Sequence, residues 1–458
     1  MTTAIAPHRL WRNTRYLTWL VSDTSKGLAA ALSGFAIPLL ALIVTDDPAQ
    51  AGIIAGAGLV ARLLTTLIGG VLADRHRRVV LMLVGALLGI ALAAAFTLLA
   101  ASDALTFTAL FAINLLLAAR SGLFDVAGES ALKEIVPDDA MGRAQAANQG
   151  RDAALQLAGG PLGGVLLGVG GWLVGLVMTL CHLISAGTAW VLARGGSRTT
   201  RENGDEQTDA RRVGPEHAED AAGDPGFPTR PTRTRPTGAR PTGARPNALA
   251  ELGEAFRWLF SRPDLGGVLA ITTIVNLGFN AAITTTIYAL QQAGHSELLI
   301  GALSAGVGAV MLVGAVIAPL LVPRIGAGIL TITTLSVVAV ATVALSWMVE
   351  PWAIIAVLGA AVLLVPALNA GMMGYFMVAT PSRLLGRANS AAGVLGMGAM
   401  PLGPLIAGFG LAWVGRQNTI LVCAALCAVA AILAIGNRAL RALPVEARWA
   451  GHARRYEA

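Results

Sequence analysis

The feature that most constrains this chain is a succession of apolar blocks, each about as long as a bilayer is thick. Twelve can be traced, at about residues 16–45, 51–73, 79–101, 104–127, 144–168, 171–194, 265–290, 298–322, 326–348, 352–377, 388–412 and 417–437. A helix rises 1.5 Å per residue, so about 20 apolar residues cross a ~30 Å hydrocarbon core. Lipid tolerates only backbones that pair their polar groups internally, and the ten-residue alternation of a barrel strand is missing. Composition agrees: 55% of the 458 residues are hydrophobic and 13% charged, against about 25% charged in an ordinary soluble domain. Mean hydropathy is +0.67. A soluble globular enzyme, a disordered protein and a fibrous one are excluded. The expected fold class is an all-α membrane protein with twelve transmembrane helices.

The charge of +7 would suggest a nucleic-acid partner in a soluble protein. Here the positive charges lie in connections between apolar blocks, the distribution that sets membrane orientation, so no nucleic-acid partner is expected. With both tails on one side, 28 of the 33 Lys and Arg fall in the connections on that side, and one, Arg416, falls opposite. The other four lie inside blocks. Without the long central connection the ratio is still sixteen to one, which predicts cytoplasmic termini. The first block, of roughly 30 residues, is too long for a signal-peptide core and reads as a retained helix. An excess of Arg over Lys, with abundant Ala and Gly, suggests a GC-rich bacterial genome and hence a bacterial cytoplasmic membrane. Cys181, Cys423 and Cys427 lie inside apolar blocks and suggest neither a disulfide framework nor a metal site. No cofactor is implied. The only lysines, Lys26 and Lys133, are not in a P-loop context, so ATP is not the expected energy source.

The blocks fall into two sets of six. Residues 1–194 form an N-terminal bundle and 263–438 a C-terminal one, followed by a basic cytoplasmic tail, 439–458. Between them, 195–247 is rich in Arg and Pro and contains a near-repeat from Arg235 to Arg245. Such a segment cannot bury a core and is expected to be disordered. Residues 248–262 read as an amphipathic helix on the membrane surface. The halves resemble each other: Pro137, Gly142-Arg143-Ala144 and Pro161-Leu162-Gly163 recur in order as Pro381, Gly386-Arg387-Ala388 and Pro401-Leu402-Gly403. Two repeats with a site at their interface are transporter architecture.

After the second block the chain reads Gly70-Val-Leu-Ala-Asp74-Arg75-His76-Arg77-Arg78. This resembles the signature loop of the major facilitator superfamily, with Arg77 in place of its second Gly and Val79 in place of its final basic residue. Within the superfamily the chain is most similar to the drug:proton antiporter branch that includes macrolide-efflux and enterobactin-exporter-like proteins. Supporting stretches are Asp125 through Pro137, the two Gly-Arg-Ala helix starts, and Glu251 to Arg262. The resemblance implies a gating cluster of Gly70, Asp74, Arg75, Arg78, Asp125 and Glu129 that latches the two halves in one state. Independently, Arg78 is placed to pair with Asp74, Asp125 or Glu129, and such pairs act as a switch because they must break. Gly160-Pro161-Leu162-Gly163-Gly164 fits the core of the family's antiporter motif, with Gln156 where the full pattern has Gly. Gly160, Pro161 and Gly164 permit close helix approach and a bend.

Ionisable residues inside the blocks are the sharper chemical signal. Asp23, Lys26, Arg62, Arg120, Arg151 and Asp152 all lie there. A mid-bilayer charge costs at least ~2.5–3.5 kcal/mol, so such groups face a cavity or a partner. The expected pairs are Asp23 with Arg62 or Lys26, and Asp152 with Arg120 or Arg151. They are either fixed struts or, with Asp23 foremost, a proton-carrying network whose pKa moves with small rearrangements. His182 is a further titratable candidate. Candidate walls of a substrate cavity are Gln149, Gln156, Asn276, Asn280, Tyr288, Asn369, Met372, Met373 and Tyr375. Interhelical hydrogen bonding is the other role open to the polar ones.

The expected function is secondary active export of amphipathic or lipophilic, drug-like small molecules by proton antiport with alternating access. The alternatives are a dedicated siderophore or natural-product exporter, an uptake permease, and a non-transporting membrane receptor or scaffold acting through the Arg/Pro linker. The expected partners are a small-molecule substrate, protons and membrane lipid, with the chain monomeric.

Overall fold

The computed structural model describes residues 12–136, 138–212, 248–381 and 384–456. Among these there is no strand; helices are joined by short turns. The first bundle consists of α1 (Thr14–Thr45), α2 (Pro48–Arg75), α3 (Arg78–Ala101), α4 (Phe107–Ile135), α5 (Asp138–Val169) and α6 (Gly171–Arg212). The second follows α7 (Ala248–Ser261) and consists of α8 (Gly266–Gln292), α9 (Glu297–Leu321), α10 (Ala327–Leu345), α11 (Pro351–Val362), α12 (Val365–Ala379), α13 (Leu385–Gly398) and α14 (Leu402–Gly436). The tail adds α15 (Arg438–Arg441) and α16 (Trp449–Ala453). Caps fix the starts. The Asn13 side chain accepts from the N–H groups of Arg15 and Tyr16, and Asp47 caps α2 with Pro48 at its first turn.

Among the described residues, eleven helical stretches are long and apolar enough to cross a membrane, α11 and α12 together counting as one. The remaining crossing lies within α14. Gly415 has φ 78° and ψ 171°, and a Cβ on Gly410 would stand 2.5 Å from the Thr419 side chain. Nine residues of straight helix span about 13 Å, so the chain folds back at Gly415. The expected span 388–412 is therefore α13 plus the first part of α14, interrupted where Pro401 disfavours helix at Met400. The expected span 352–377 is also divided, into α11 and α12. Pro366 lacks the N–H that would bond the Val362 carbonyl, and the Leu363 carbonyl lies against Gly314 of α9, which has no side chain to obstruct it. Helix α6 runs on to Arg212, into the first part of the expected linker; no proline occurs before Pro215 to stop it. The rest of that linker, 213–247, lies outside the described residues.

The two bundles share one apolar core at the end remote from the chain termini. It joins Leu32, Ile54 and Met178 of the first bundle to Tyr288, Ile300 and Ile420 of the second. Toward the termini the cores are separate, one around Trp19, Leu132 and Leu192, the other around Leu330, Tyr375 and Trp449. Two seams close the shared end. In one, Gly52 of α2 meets Pro404 and Gly408 of α14; in the other, Gly164 of α5 meets Glu297 and Gly301 of α9. Backbone touches backbone there: a Cβ on Gly164 would lie 2.5 Å from the Glu297 carbonyl oxygen. The outer surface is apolar, with Leu98, Val316 and Val340 each 70–71% exposed. Exposed Trp347, Trp352 and Trp413 ring the remote end of the second bundle, as interfacial aromatics do.

Candidate functional site

Helix α1 places Asp23 and Lys26 one turn apart, and their side chains pair at 2.7 Å. The second Asp23 oxygen lies 2.7 Å from Arg151 of α5. Lys26 reaches Asp125 of α4 at 3.6 Å, and Arg120, one turn earlier on α4, reaches the same carboxylate at 3.7 Å. Ser121 donates a short hydrogen bond to the other Asp125 oxygen. Arg151 also holds Asp152 at 2.8 Å, at the exposed edge. The result is a ladder of alternating sign, Asp152–Arg151–Asp23–Lys26–Asp125–Arg120, across three helices. Asp23 and Arg120 are each 6% exposed, so every rung offsets a desolvation cost that an isolated charge would bear in full.

Small and aromatic residues shape the ladder. A Cβ on Gly128 would sit 3.1 Å from Asp23 Oδ1 and 3.2 Å from Lys26 Nζ. The Gly128 carbonyl accepts from the Trp19 indole at 2.8 Å, and the Arg151 guanidinium lies 5.7 Å from that ring. Arg120 donates to the Gly85 carbonyl at 3.1 Å and meets His182 Nδ1 at 3.4 Å. Gly89 leaves the room for both, since its Cβ would lie 2.7 Å from the guanidinium and 2.8 Å from the imidazole.

Beside the ladder, between the bundles, is a cavity of about 280 Å³. Helices α1, α2, α4 and α6 line one side, through residues such as Phe35, Arg62, Asn114 and Arg120; α8 and α14 supply Thr284, Tyr288 and Pro404. Arg120 belongs to both the cavity wall and the ladder.

The geometry selects among the expected ion pairs and corrects other expectations. Of the two partners expected for Asp23, Lys26 pairs with it and Arg62 does not, and Arg151 is added. Arg62 sits higher on α2, is exposed at the cavity, and among the described residues forms no ion pair. Of the two partners expected for Asp152, it takes Arg151, while Arg120 takes Asp125. Asp125 thus belongs to the buried ladder rather than to the loop cluster, because position 125 falls on the same face of α4 as 121, toward α1. In the loop cluster, Arg78 donates to the Ser130 carbonyl at 2.9 Å. Glu129 and Arg75 are exposed, and Gly70 has open space beside it. The Asp74 side chain lies outside the described residues.

Of the proposed cavity walls only Tyr288 borders the cavity. Gln149, Gln156, Asn276, Asn280, Asn369 and Met373 are exposed elsewhere. Gln149 and Gln156 occupy the strip of α5 between its α1-facing side, at Leu155 and Gly159, and its α9-facing side, at Leu157 and Gly160. Gly160 and Gly164 lie in the α5–α9 seam, while Gly163 packs on Phe35 of α1; Pro161 stands between them. Asn114 was legible only as a polar residue in an apolar block.

A second polar cluster, which motif reading missed, lies at the terminal end and takes Tyr375, expected at the cavity wall. Arg262 grips Asp264 with two hydrogen bonds, 2.9 and 2.8 Å, and Tyr375 donates to the same carboxylate at 2.6 Å. Trp449 and His452 of the tail pack on the Tyr375 ring. Burial alone would raise the Asp264 pKa, but the Arg262 and Tyr375 hydrogen bonds outweigh it and hold the carboxyl below its usual range. Burial, and then the charge of Arg455, push the His452 imidazole below its usual value.

Two helical bundles enclosing a cavity, with costly charges buried beside it, define the architecture of a secondary transporter. The chain belongs to the Major Facilitator Superfamily, whose sequence model matches residues 24–400. Among solved structures it is similar to a bacterial homologue of the iron transporter ferroportin in an inward-facing state, with TM-score 0.64 at 14% identity, covering 92% of this chain and 97% of that one. It is also similar to a bacterial homolog of the human lysosomal transporter Spinster, inward-facing and unoccupied, with TM-score 0.63 at 13% identity, covering 94% and 98%. At such identities the likeness is one of fold. No curated protein matches the sequence.

Proposed function

We propose that this chain exports amphipathic or lipophilic small molecules across a bacterial cytoplasmic membrane in exchange for protons. The observation that carries the reading is the buried ladder centred on Asp23, joined to the cavity through Arg120. A proton on Asp23 cancels the charge that holds both Lys26 of its own helix and Arg151 of α5. Released, α5 can slide against α1, and the change passes through Lys26 and Asp125 to the cavity wall. The ladder is then a switch that substrate and proton bias in opposite directions. One proton moving through ~100 mV supplies ~2.3 kcal/mol, and each pH unit about 1.4 kcal/mol more.

The charge bias of the connections supports cytoplasmic termini, and the shared core and glycine seams then lie on the outer side. In that reading the structure is an inward-facing state, the state named for both similar structures. A dedicated natural-product exporter is the second reading. It draws support from a cavity of about 280 Å³, at the small end of ligand pockets. The test is a pH-jump efflux assay in proteoliposomes. Asp23→Asn, which fixes the uncharged form, is expected to abolish acceleration by the proton gradient, and Asp23→Glu to retain part of it. Unchanged coupling in Asp23→Asn removes Asp23 from the proton path.

A further inference from the structure

The cavity has an electrostatic character that the ladder explains only in part. Two arginines, Arg62 and Arg120, line it, and no lining residue is a carboxylate. Each acid of the ladder already faces at least one cation, whereas Arg62 has no ion-pair partner among the described residues. Arg120 is 6% exposed, and among the described residues its Nε finds no hydrogen-bond acceptor. Tyr288, 1% exposed on the opposite wall, likewise has a hydroxyl without a partner. Buried donors left unsatisfied cost ~1–3 kcal/mol each, more when charged. Two such groups and a free guanidinium around one cavity describe a complement that is missing: an acceptor bearing negative charge. The rest of the wall, with Phe35, Leu59, Met178 and Ile287, is apolar.

From this we infer that the cavity binds an amphipathic anion, whose carboxylate or equivalent acidic group pairs with Arg62 and accepts from Tyr288 while its apolar body packs on Phe35 and Met178. The inference rests on the transporter reading above and narrows its substrate class. A planar guanidinium suits a two-oxygen acid better than a single acceptor does. The arrangement disfavours cationic drugs, because a cation would enter beside two arginines with no carboxylate to receive it. It also sets the charge moved per cycle. Exchange of one anion outward for one proton inward carries two elementary charges across the membrane, where a neutral substrate would carry one.

Three probes with one ring system test it: 2-naphthoate, 2-naphthamide and 2-naphthylmethylamine, measured by equilibrium dialysis on the purified full chain in proteoliposomes at neutral pH. Naphthoate is expected to bind at least tenfold more tightly than either analogue. Arg62→Gln should erase that margin, Arg62→Lys should keep most of it, and Tyr288→Phe should cut naphthoate affinity several-fold. The inference is overturned if the amide or amine binds as well as the acid, if the margin survives Arg62→Gln, or if none of the three binds at millimolar concentration. A pH-gradient flux assay with the same probes keeps the two readings apart. Proton-coupled movement of the amine or amide alone removes the anion and leaves the antiporter. Movement of naphthoate without proton coupling removes antiport and leaves the anion site.

Discussion

Asp23 ties two helices together, since one oxygen holds Lys26 of its own helix α1 and the other holds Arg151 of α5. Removing one partner of a buried pair typically costs about 3–5 kcal/mol, because the remaining charge is stranded. Asp23→Ala is therefore expected to lower stability by about that amount, read as a depressed unfolding temperature in detergent. Asp23→Asn should cost less, as its amide oxygen still accepts a hydrogen bond. Gly89 gives a complementary prediction. The Cβ of Gly89→Ala would press on both Arg120 and His182, and overpacking of this kind costs about 1–3 kcal/mol. Thermal unfolding of Gly89→Ala measures it, and an unchanged midpoint would mean that the arginine moves without penalty. That ionisable residues inside apolar blocks would cluster followed from the cost of lone charges in lipid. Which acid took which base did not, because the partners of Asp23 and Arg120 depend on how α1, α4 and α5 are rotated, and helix rotation leaves little trace in an almost uniformly apolar sequence.

Among elements, the glycine seams and the tail make separate claims. Gly164 meets Gly301 backbone to backbone where α5 crosses α9, and Gly52 meets Gly408 where α2 crosses α14. A side chain at either site wedges the closed end apart. Gly164→Leu is expected to expose cysteines introduced at the remote end to a membrane-impermeant maleimide and to lower transport at least tenfold. Labelling equal to the parent would deny the seam its role. The recurrence of Pro161-Leu-Gly163 and Pro401-Leu-Gly403 already marked these two helices as equivalent. That both would face small residues of the opposite bundle was not legible, because Gly52 and Gly301 sit in blocks with no motif. The tail was legible only as a run of positive charge. Its docking depends on Trp449 and His452 meeting Tyr375, contacts set by the return of the chain over the end of α10, where Ala327 donates to the Pro444 carbonyl at 3.2 Å. His452 titrates below its ordinary 6.5 when docked, held there by burial and Arg455 and opposed by nearby Asp264. The docked state thus favours the neutral ring, so docking is complete above about pH 6.5 and weakens as the pH falls below it. Limited proteolysis of the tail should accelerate between pH 7.5 and 5.5, and His452→Gln should flatten that dependence. Tyr375→Phe, which removes a charge-assisted hydrogen bond worth about 1.5–3 kcal/mol, should loosen the tail at every pH.

At the scale of the whole molecule, the two bundles have separate cores at the terminal end and a shared one at the other, so the covalent link between them limits how far they can part at the terminal end. That link, between the end of α6 and the start of α7, is rich in Arg and Pro. In the transporter reading it needs only to be long enough to permit the motion. In the receptor or scaffold reading it is the working part. Removing 213–240 leaves 241–247 to join Arg212 to Ala248, and seven extended residues reach about 23 Å. The shortened protein is expected to keep proton-coupled efflux of its substrate within twofold of the parent in proteoliposomes, with its unfolding temperature unchanged. Loss of efflux from a protein that still unfolds at the parent temperature would make the linker part of the transport cycle. Rescue by a Gly/Ser segment of the original length would assign that part to reach, and failure of rescue would assign it to the arginines themselves.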